Sequence, residues 1–489
     1  MPGTAAGRGG DGVRLAMVDV AAATGGRLVA GSQGVTVEGG TVDSRRVRPG
    51  NLFFALPGQR VDGHRFVAQA LAAGARGAVI ARPLAEVLPD GAPPGTAVVE
   101  VADTRQALAD LARWVRRRRT GLRVVGITGS LGKTTTKEMA AAVLARRFAV
   151  LKSAGNYNTD VGLPLTLLDL EERHQVAVLE MAMRGLGEIA RLAAIAEPDV
   201  GVVTVVAESH LEFLGSLERV AQAKGELVEA LPEDGVAILN AGDPRVRAMA
   251  ARTRARVLTF GHDGEGADVR AVNVEHRGAA GSRFRLEVPG GDAATVELAV
   301  PGPAAVTCAL AAAAVGVALG LDAATIAAGL AEARPAALRN EIRQAGPWTL
   351  YIDCYNASPT STRAALHALR QVAGSRRAVA ILGDMFELGD WAVEGHRETG
   401  REAARTADVL LAVGRWAPQM VEGWIQAGGA GAAAAAYPDK AALLGELDRW
   451  LRPGDAILIK ASRGMAMEEV VEALTARVAA AGSSRPDPA

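Results

Sequence analysis

With 489 residues the chain has room for two to four domains of ordinary size. Its 54 basic and 54 acidic residues cancel, which leaves no net field to draw it to nucleic acid or to a membrane surface. Two cysteines, Cys308 and Cys354, cannot build a disulfide framework and fit a reducing, cytoplasmic setting.

The opening stretch MPGTAAGRGGDG is polar and glycine-rich, without the apolar core of a signal peptide. Residues 40–64, GTVDSRRVRPGNLFFALPGQRVDGH, mix short strands with turns. The arginine run 116–119 reads as the solvated end of a helix. Then come short apolar runs separated by helix-length segments: RVVGIT (123–128), QVAVLE (175–180), VGVVTVV (200–206) and GVAILN (235–240). That alternation is the mark of parallel α/β units. The alanine-rich stretch 304–321 is long enough to consider as a membrane span. It carries two glycines and no aromatic belt, so a buried helix is expected and no membrane span. The proline in ARPAALRNE (333–341) suggests a hinge. A second set of runs follows: TLYIDC (349–354), AVAILG (378–383), DVLLAV (408–413) and DAILIKA (455–461). The run GGAGAAAAA (428–436) is expected to be a loose loop or helix edge. Three α/β domains result, at 1–118, 119–336 and 337–489.

RVVGITGSLGKTTTKEM reads strand, glycine-rich turn, helix. Gly132, Lys133 and Thr134 end a Walker A loop, although Ile127 stands where the first glycine is usual. The backbone of Thr128, Gly129, Ser130, Leu131 and Gly132 is expected to wrap a phosphate at the helix N-terminus, where the helix dipole favours an anion. Lys133 would reach the β/γ-phosphates and Thr134 would hold magnesium. Ligands of open α/β sheets bind beyond the carboxyl ends of the strands. Glu180 ends the second run and His210 lies just past the third, so both are candidate metal ligands beside the phosphate loop.

Among the basic residues only six are lysines, and one of them, Lys224, sits in RVAQAKGELVEAL (219–231). Val220, Leu227 and Leu231 share its helical stripe. Periodicity alone favours a stem packed on the core with its head in water. Beside a metal–phosphate site another chemistry opens: a desolvated lysine has a lowered pKa, and its neutral amine can add to carbon dioxide. The carbamate is an anion able to lie beside magnesium, and arginine cannot form it. The alternative is an ammonium that contacts a phosphate or Glu226. Gly225 is expected to make room beside the modified side chain.

The residues then add up to a resemblance to the Mur ligase family, almost end to end. It is carried by DSRRVRPGNLFFALPGQRVDGH (43–64), GITGSLGKTTTKEM (126–139), GNYNTDVGLPLTLL (155–168), EMAMRGLGEI (180–189), HLEFLGSLERVAQAKGEL (210–227), DCYNASPTS (353–361), LGDMFELG (382–389) and KASRGMAMEE (460–469). LGDMFELG and DCYNASP favour the member that adds D-Ala-D-Ala to UDP-MurNAc-tripeptide. The resemblance implies an N-terminal α/β domain gripping the UDP-sugar, a central P-loop ATPase domain, and a doubly wound C-terminal α/β domain that helps bind ATP and dipeptide. The implied cofactors are ATP and Mg2+, and a monomer is expected. It also implies a carbamylated Lys224 that holds a second magnesium with His210, while Glu180 serves the metals. Ser44 and Arg45 would lie by the UDP moiety, with Asp62, Gly63 and His64 in the adjoining loop. Asn156 would contact substrate, and Asn240 would approach the adenine. Arg339 and Asp353 would reach ATP, and Tyr355 and Asn356 would line the dipeptide side. Lys133, Lys224, His210 and Glu180 form the implied catalytic set.

The chain departs from the family pattern at Ala304, Ala305 and Cys308, where a His-Asn pair and a later Asn are usual. Ser358 and Thr159 each stand in place of an Asn. Two other readings share the phosphate loop: a folylpolyglutamate-type ligase, and a P-loop ATPase that drives a partner.

Overall fold

The computed structural model describes residues 13–58 and 61–483. The opening stretch 1–12, expected to hold no signal-peptide core, lies outside the described residues, as do positions 59 and 60. Three larger sheets fall within residues 27–100, 123–298 and 341–460, beside a two-stranded antiparallel pair of Arg14–Ala16 with Thr36–Glu38.

The first sheet has five strands in the order Arg27–Ala30, Ala97–Glu100, Gly77–Ile80, Leu52–Phe54, Gly40–Thr41, parallel except at its first pair. A helix, Thr104–Arg118, leads out of it and starts where the Asp103 carboxylate accepts the N–H groups of Arg105 and Gln106, a cap worth about 1 kcal/mol. Its arginine end is less solvated than expected. Arg116 donates to the carbonyls of Ala196 and Glu197 and pairs with Asp199 at 3.2 Å, because the last turn packs against the second domain, which offers unpaired carbonyls there.

The second sheet has nine strands, and Arg123–Thr128 lies inside it between Val176–Glu180 and Val200–Val203. Those neighbours leave on opposite sides, which opens a crevice at the carboxyl end of the phosphate-loop strand. Val200–Val203 is shorter than the predicted 200–206, because Thr204–Val206 leave the sheet to support the phosphate loop. Beyond Arg256–His262 the sheet continues through Val269–His276 into an antiparallel meander with Ser282–Glu287 and Ala293–Leu298. The alanine-rich segment is the buried helix Pro303–Ala318, packed against the helix Lys133–Leu144. Alanines on both helices allow this close approach. Among the described residues no helix is long and apolar enough to cross a membrane.

The third sheet runs Glu341–Ala345, Trp348–Ile352, Ala456–Lys460, Ala378–Gly383, Val409–Val413, Ala434–Tyr437, all parallel after the first pair. The low-complexity run 428–436 is not a loose loop throughout. Ala434–Tyr437 add an edge strand to Val409–Val413, since sheet hydrogen bonding and neighbouring packing override alanine's weak strand preference.

Candidate active site

The carboxyl ends of the second and third sheets face one another across a cleft of about 760 Å³. Ser130 to Thr135, Asn156, Glu180, His210, Arg339, Asp353, Tyr355 and Asn356 all line it.

In the phosphate loop, Gly129 (φ +147°) and Gly132 (φ +79°) adopt backbone conformations that side chains disfavour. The Thr204 hydroxyl donates to the Leu131 carbonyl at 2.5 Å and the Ser130 N–H to the Val205 carbonyl at 2.7 Å, pinning the turn to the neighbouring strand end. Lys133 Nζ folds back onto the Gly129 carbonyl at 2.7 Å. Burial lowers its pKa, and the nearby Arg339 charge adds to this while Glu180 opposes it. The Thr128 side chain turns away from the loop that its backbone enters. Its hydroxyl is buried and donates to the Met181 carbonyl, so its side chain splints two strands and does not line the cleft.

Glu180 is 2% exposed. One carboxylate oxygen accepts from Thr134 Oγ1 and the other from Asn158 Nδ2, both at 2.8 Å. Asn158 was not among the predicted residues, whereas Asn156, two positions earlier, is an exposed residue of the cleft wall. No periodicity distinguishes the two within one loop; only the tertiary placement of Glu180 does.

Lys224 overturns the expectation of a snorkelling head. The residue is 2% exposed, and no hydrogen bond or ion pair engages its amine among the described residues. Burial pushes its pKa well down, and the positive charge of Lys133 lowers it further. Glu226 is committed elsewhere: its two oxygens accept the N–H groups of Gly187 and Ala190 at the start of the helix Glu188–Ala196. Gly225 does not make room for the lysine. A side chain there would strike the Arg252 guanidinium, which lies over the helix and donates to Ala221 and Gln222 carbonyls.

His210 Nδ1 lies 2.6 Å from Glu387 of the third domain, a partner absent from the predicted set. That hydrogen bond is the main reason the Glu387 carboxyl is held below the usual range. Asp353 takes the Lys460 ammonium at 2.5 Å and the Asn340 N–H at 3.3 Å, so its carboxylate anchors the segment that carries Arg339 as well as facing the cleft. Arg339 stacks over the Tyr355 ring at 4.1 Å, between Leu338 and Asn340, both at positive φ. Two sequence signals touch Lys460: the scarcity of lysine and its place at the start of KASRGMAMEE.

The remaining predicted residues lie apart from this cleft. Asn240 donates to the Thr204 carbonyl and accepts from the Gly242 N–H, so its amide is spent tying strand ends and does not reach the cleft. Ser44 donates to Gln69, and Arg45 pairs with Asp43, whose carboxyl it holds at about 2. Asp62 accepts from both the backbone and ring of His64, while His64 Nε2 accepts the Ala81 N–H. Both ring nitrogens are thus taken, and His64 shapes its loop instead of reaching outward. Gly63 belongs to the same knot, where a Cβ would meet the Leu56 carbonyl at 2.6 Å.

Two departures have local explanations. Ser358 caps the helix Pro359–Ala373 in a reciprocal pair with Ser361, a position where Ser and Asn serve equally well. Cys308 packs on the phosphate loop, its sulfur 2.8 Å from where a Gly132 side chain would begin. Burial pushes its thiol up to about 11 and that of Cys354 up to about 12. Thiolates are the reactive species, so iodoacetamide at pH 8 should leave both cysteines unlabelled in the folded protein, as read by peptide mass spectrometry.

Three family descriptions match in chain order: "Mur ligase family, catalytic domain" over 36–116, "Mur ligase middle domain" over 127–316, and "Mur ligase, glutamate ligase domain" over 338–463. The UDP-N-acetylmuramoyl-tripeptide–D-alanyl-D-alanine ligase of Mycobacterium tuberculosis H37Rv is 41% identical, covering 89% of this chain and 92% of its own. The Escherichia coli K12 enzyme of that name is 39% identical over 90% of this chain and 94% of its own. A crystal structure of MurF from Acinetobacter baumannii matches with a TM-score of 0.86 at 32% identity, covering 95% of this chain and all of that one, 100%. MurF of Thermotoga maritima in complex with ADP matches at 0.78 and 30% identity, covering 91% and 98%. Across its catalytic, middle and C-terminal portions, the chain belongs to the Mur ligase family.

Proposed function

We propose that the chain is the ligase that joins D-Ala-D-Ala to UDP-MurNAc-tripeptide at the expense of ATP, in peptidoglycan precursor synthesis. The observation that carries this reading is the single cleft in which the phosphate loop and Glu180 face Arg339 and the DCYNAS turn, in a chain similar to MurF enzymes over most of its length. A carboxylate is a poor electrophile towards an amine, so it must first be activated. The tripeptide carboxylate attacks the γ-phosphorus of ATP; a phosphorus–oxygen bond forms and the bond to ADP breaks. The dipeptide amine then attacks the carbonyl carbon, loses a proton, and phosphate departs. Lys133, released from the Gly129 carbonyl, and Arg339 would bear on the phosphates, a positioning and electrostatic task. Tyr355, Asn356 and Asn156 would face the acceptor and donor peptides. In the first domain, Ser44 and Arg45 lie on the UDP side, with the Asp62–His64 knot shaping that loop; Asn240 supports the nucleotide side from beneath.

The Thr134 hydroxyl and the Glu180 carboxylate are hard oxygen donors 2.8 Å apart, and they fit Mg2+, which favours such ligands. Magnesium, when bound, would neutralise phosphoryl charge. Among the described residues no three His, Cys, Asp or Glu side chains cluster as a ready-made metal site; a carbamate on Lys224, together with His210, would add the missing anionic oxygen. Forming it joins Nζ to the carbon of carbon dioxide and releases one proton. We place the domain boundaries at 119 and 337, and read the protein as a cytoplasmic monomer.

A coupled assay tests the reading. Phosphate release should require both UDP-MurNAc-tripeptide and D-Ala-D-Ala, with a product whose mass is their sum less water. Release without either substrate would favour a partner-driving ATPase instead.

A further inference from the structure

Glu387 is a second-domain-to-third-domain contact that the reading above leaves unused. It sits in the loop 384–389, which the third domain holds rigidly from both sides. Asp384 accepts the N–H groups of Arg415 and Trp416 at 2.8 and 2.9 Å. Met385 N–H donates to His396, and Phe386 N–H to the Ser462 hydroxyl, each at 2.9 Å. Between these anchors Glu387 is driven to φ +62°, and across the domain boundary His210 stands at φ +56°. Two non-glycine residues in left-handed conformations therefore meet carboxylate to imidazole, and such strain persists only where surrounding contacts enforce it.

The contact is specific. Glu387 Oε2 faces His210 Nδ1 at 2.6 Å, Oε1 faces Arg184 at 3.3 Å, and the Glu387 carbonyl accepts the Glu212 N–H at 3.2 Å. Gly389 brings the two backbones together, since a Cβ there would lie 3.1 Å from Glu212 Cα. A carboxylate at Nδ1 selects the tautomer that carries its proton there, and it leaves the Nε2 lone pair free to face the cleft. The selecting group belongs to the third domain and the ring to the second. We propose that Glu387 is a positioning residue through which docking of the third domain orients the His210 ring, so that closure and assembly of the site are one event.

The proposal rests on the cleft being the ligase site. Its test therefore includes readouts that need no turnover beside the kinetic ones. In magnesium-free protein saturated with ADP and UDP-MurNAc-tripeptide, 15N spectra of labelled histidine should show His210 as a single tautomer protonated at Nδ1. Glu387→Ala should give mixed tautomers, less compaction in solution scattering, and a kcat lower by about 10–100-fold, with KM for the UDP-tripeptide within about twofold. Glu387→Gln, whose amide oxygen can still accept the Nδ1 proton, should restore the ring signature and most of kcat. If Glu387→Ala fails to fold, Glu387→Asp, which falls short by one methylene, should show the same losses. Unchanged ring signals in the Ala or Asp variant, or a lost kcat without a change in those signals, would overturn the proposal. Failure of the ligase reading itself shows only in the coupled assay on the unaltered protein.

Discussion

Replacing Lys224 with arginine lowers kcat by about 10²–10³-fold, ~3–4 kcal/mol of transition-state stabilisation, although the formal charge is kept. Lys224 is 2% exposed, and among the described residues nothing accepts the protons of its amine. Burial and the Lys133 charge both favour the neutral form, and a neutral amine adds carbon dioxide where a guanidinium cannot. Labelled bicarbonate should place a 13C carbamate signal on the wild-type protein and none on Lys224→Arg; full activity in that variant would sink the carbamate. Lys224→Met separates chemistry from packing, because it keeps an unbranched stem and removes the buried amine. Activity should fall as far, while the melting temperature holds or rises, since a buried polar group without a hydrogen-bond partner costs stability that an apolar replacement does not. The pH dependence has a definite sign for the unmodified protein. The folded pKa is depressed, so between the folded and unfolded values the unfolded chain binds one proton more than the folded one. Stability then rises with pH up to the unfolded lysine value, and the Met variant lacks that slope.

Much of the scaffold was legible because buried parallel strands announce themselves as short apolar runs. RVVGIT and AVAILG occupy the strands Arg123–Thr128 and Ala378–Gly383 residue for residue. The meander from Val269 to Leu298 was not anticipated, since its strands alternate buried and exposed positions and merge into polar surroundings. In the cleft, residues inside one local motif were readable: the phosphate loop, and Glu180 at a strand end. What escaped was what only tertiary contact creates. Glu387 reaches His210 across 177 positions of sequence, and Thr204 acts on Leu131 from the adjoining strand. His64 and Asn240 show the other side of tertiary contact. Motif position pointed them at ligands, whereas their polar atoms already satisfy buried partners, as buried polar groups must.

Gly129→Ala should raise KM for ATP at least about tenfold and lower stability by roughly 2–4 kcal/mol. Two separate penalties combine. At φ +147° an alanine is strained whatever the space around it, and its Cβ would begin 1.8 Å from the Thr204 hydroxyl oxygen. Thr204 cannot turn away cheaply, because that hydroxyl donates to the Leu131 carbonyl at 2.5 Å and so fixes the turn that presents the loop N–H groups. Relief of the clash therefore moves the same backbone that is to wrap the phosphates, which ties the binding loss to the steric one. Gly454→Ala isolates the first penalty: its φ is +91° and nothing lies within 4 Å of the added carbon, so it should lose about 1 kcal/mol or somewhat more and leave nucleotide affinity alone. Adding Thr204→Ala to Gly129→Ala should recover part of the stability but little of the affinity, since the hydroxyl brace on Leu131 goes with it. Calorimetric titration with ADP and thermal unfolding of the four proteins measure both quantities. Wild-type ADP affinity in Gly129→Ala would show that the loop does not need its close approach to Thr204.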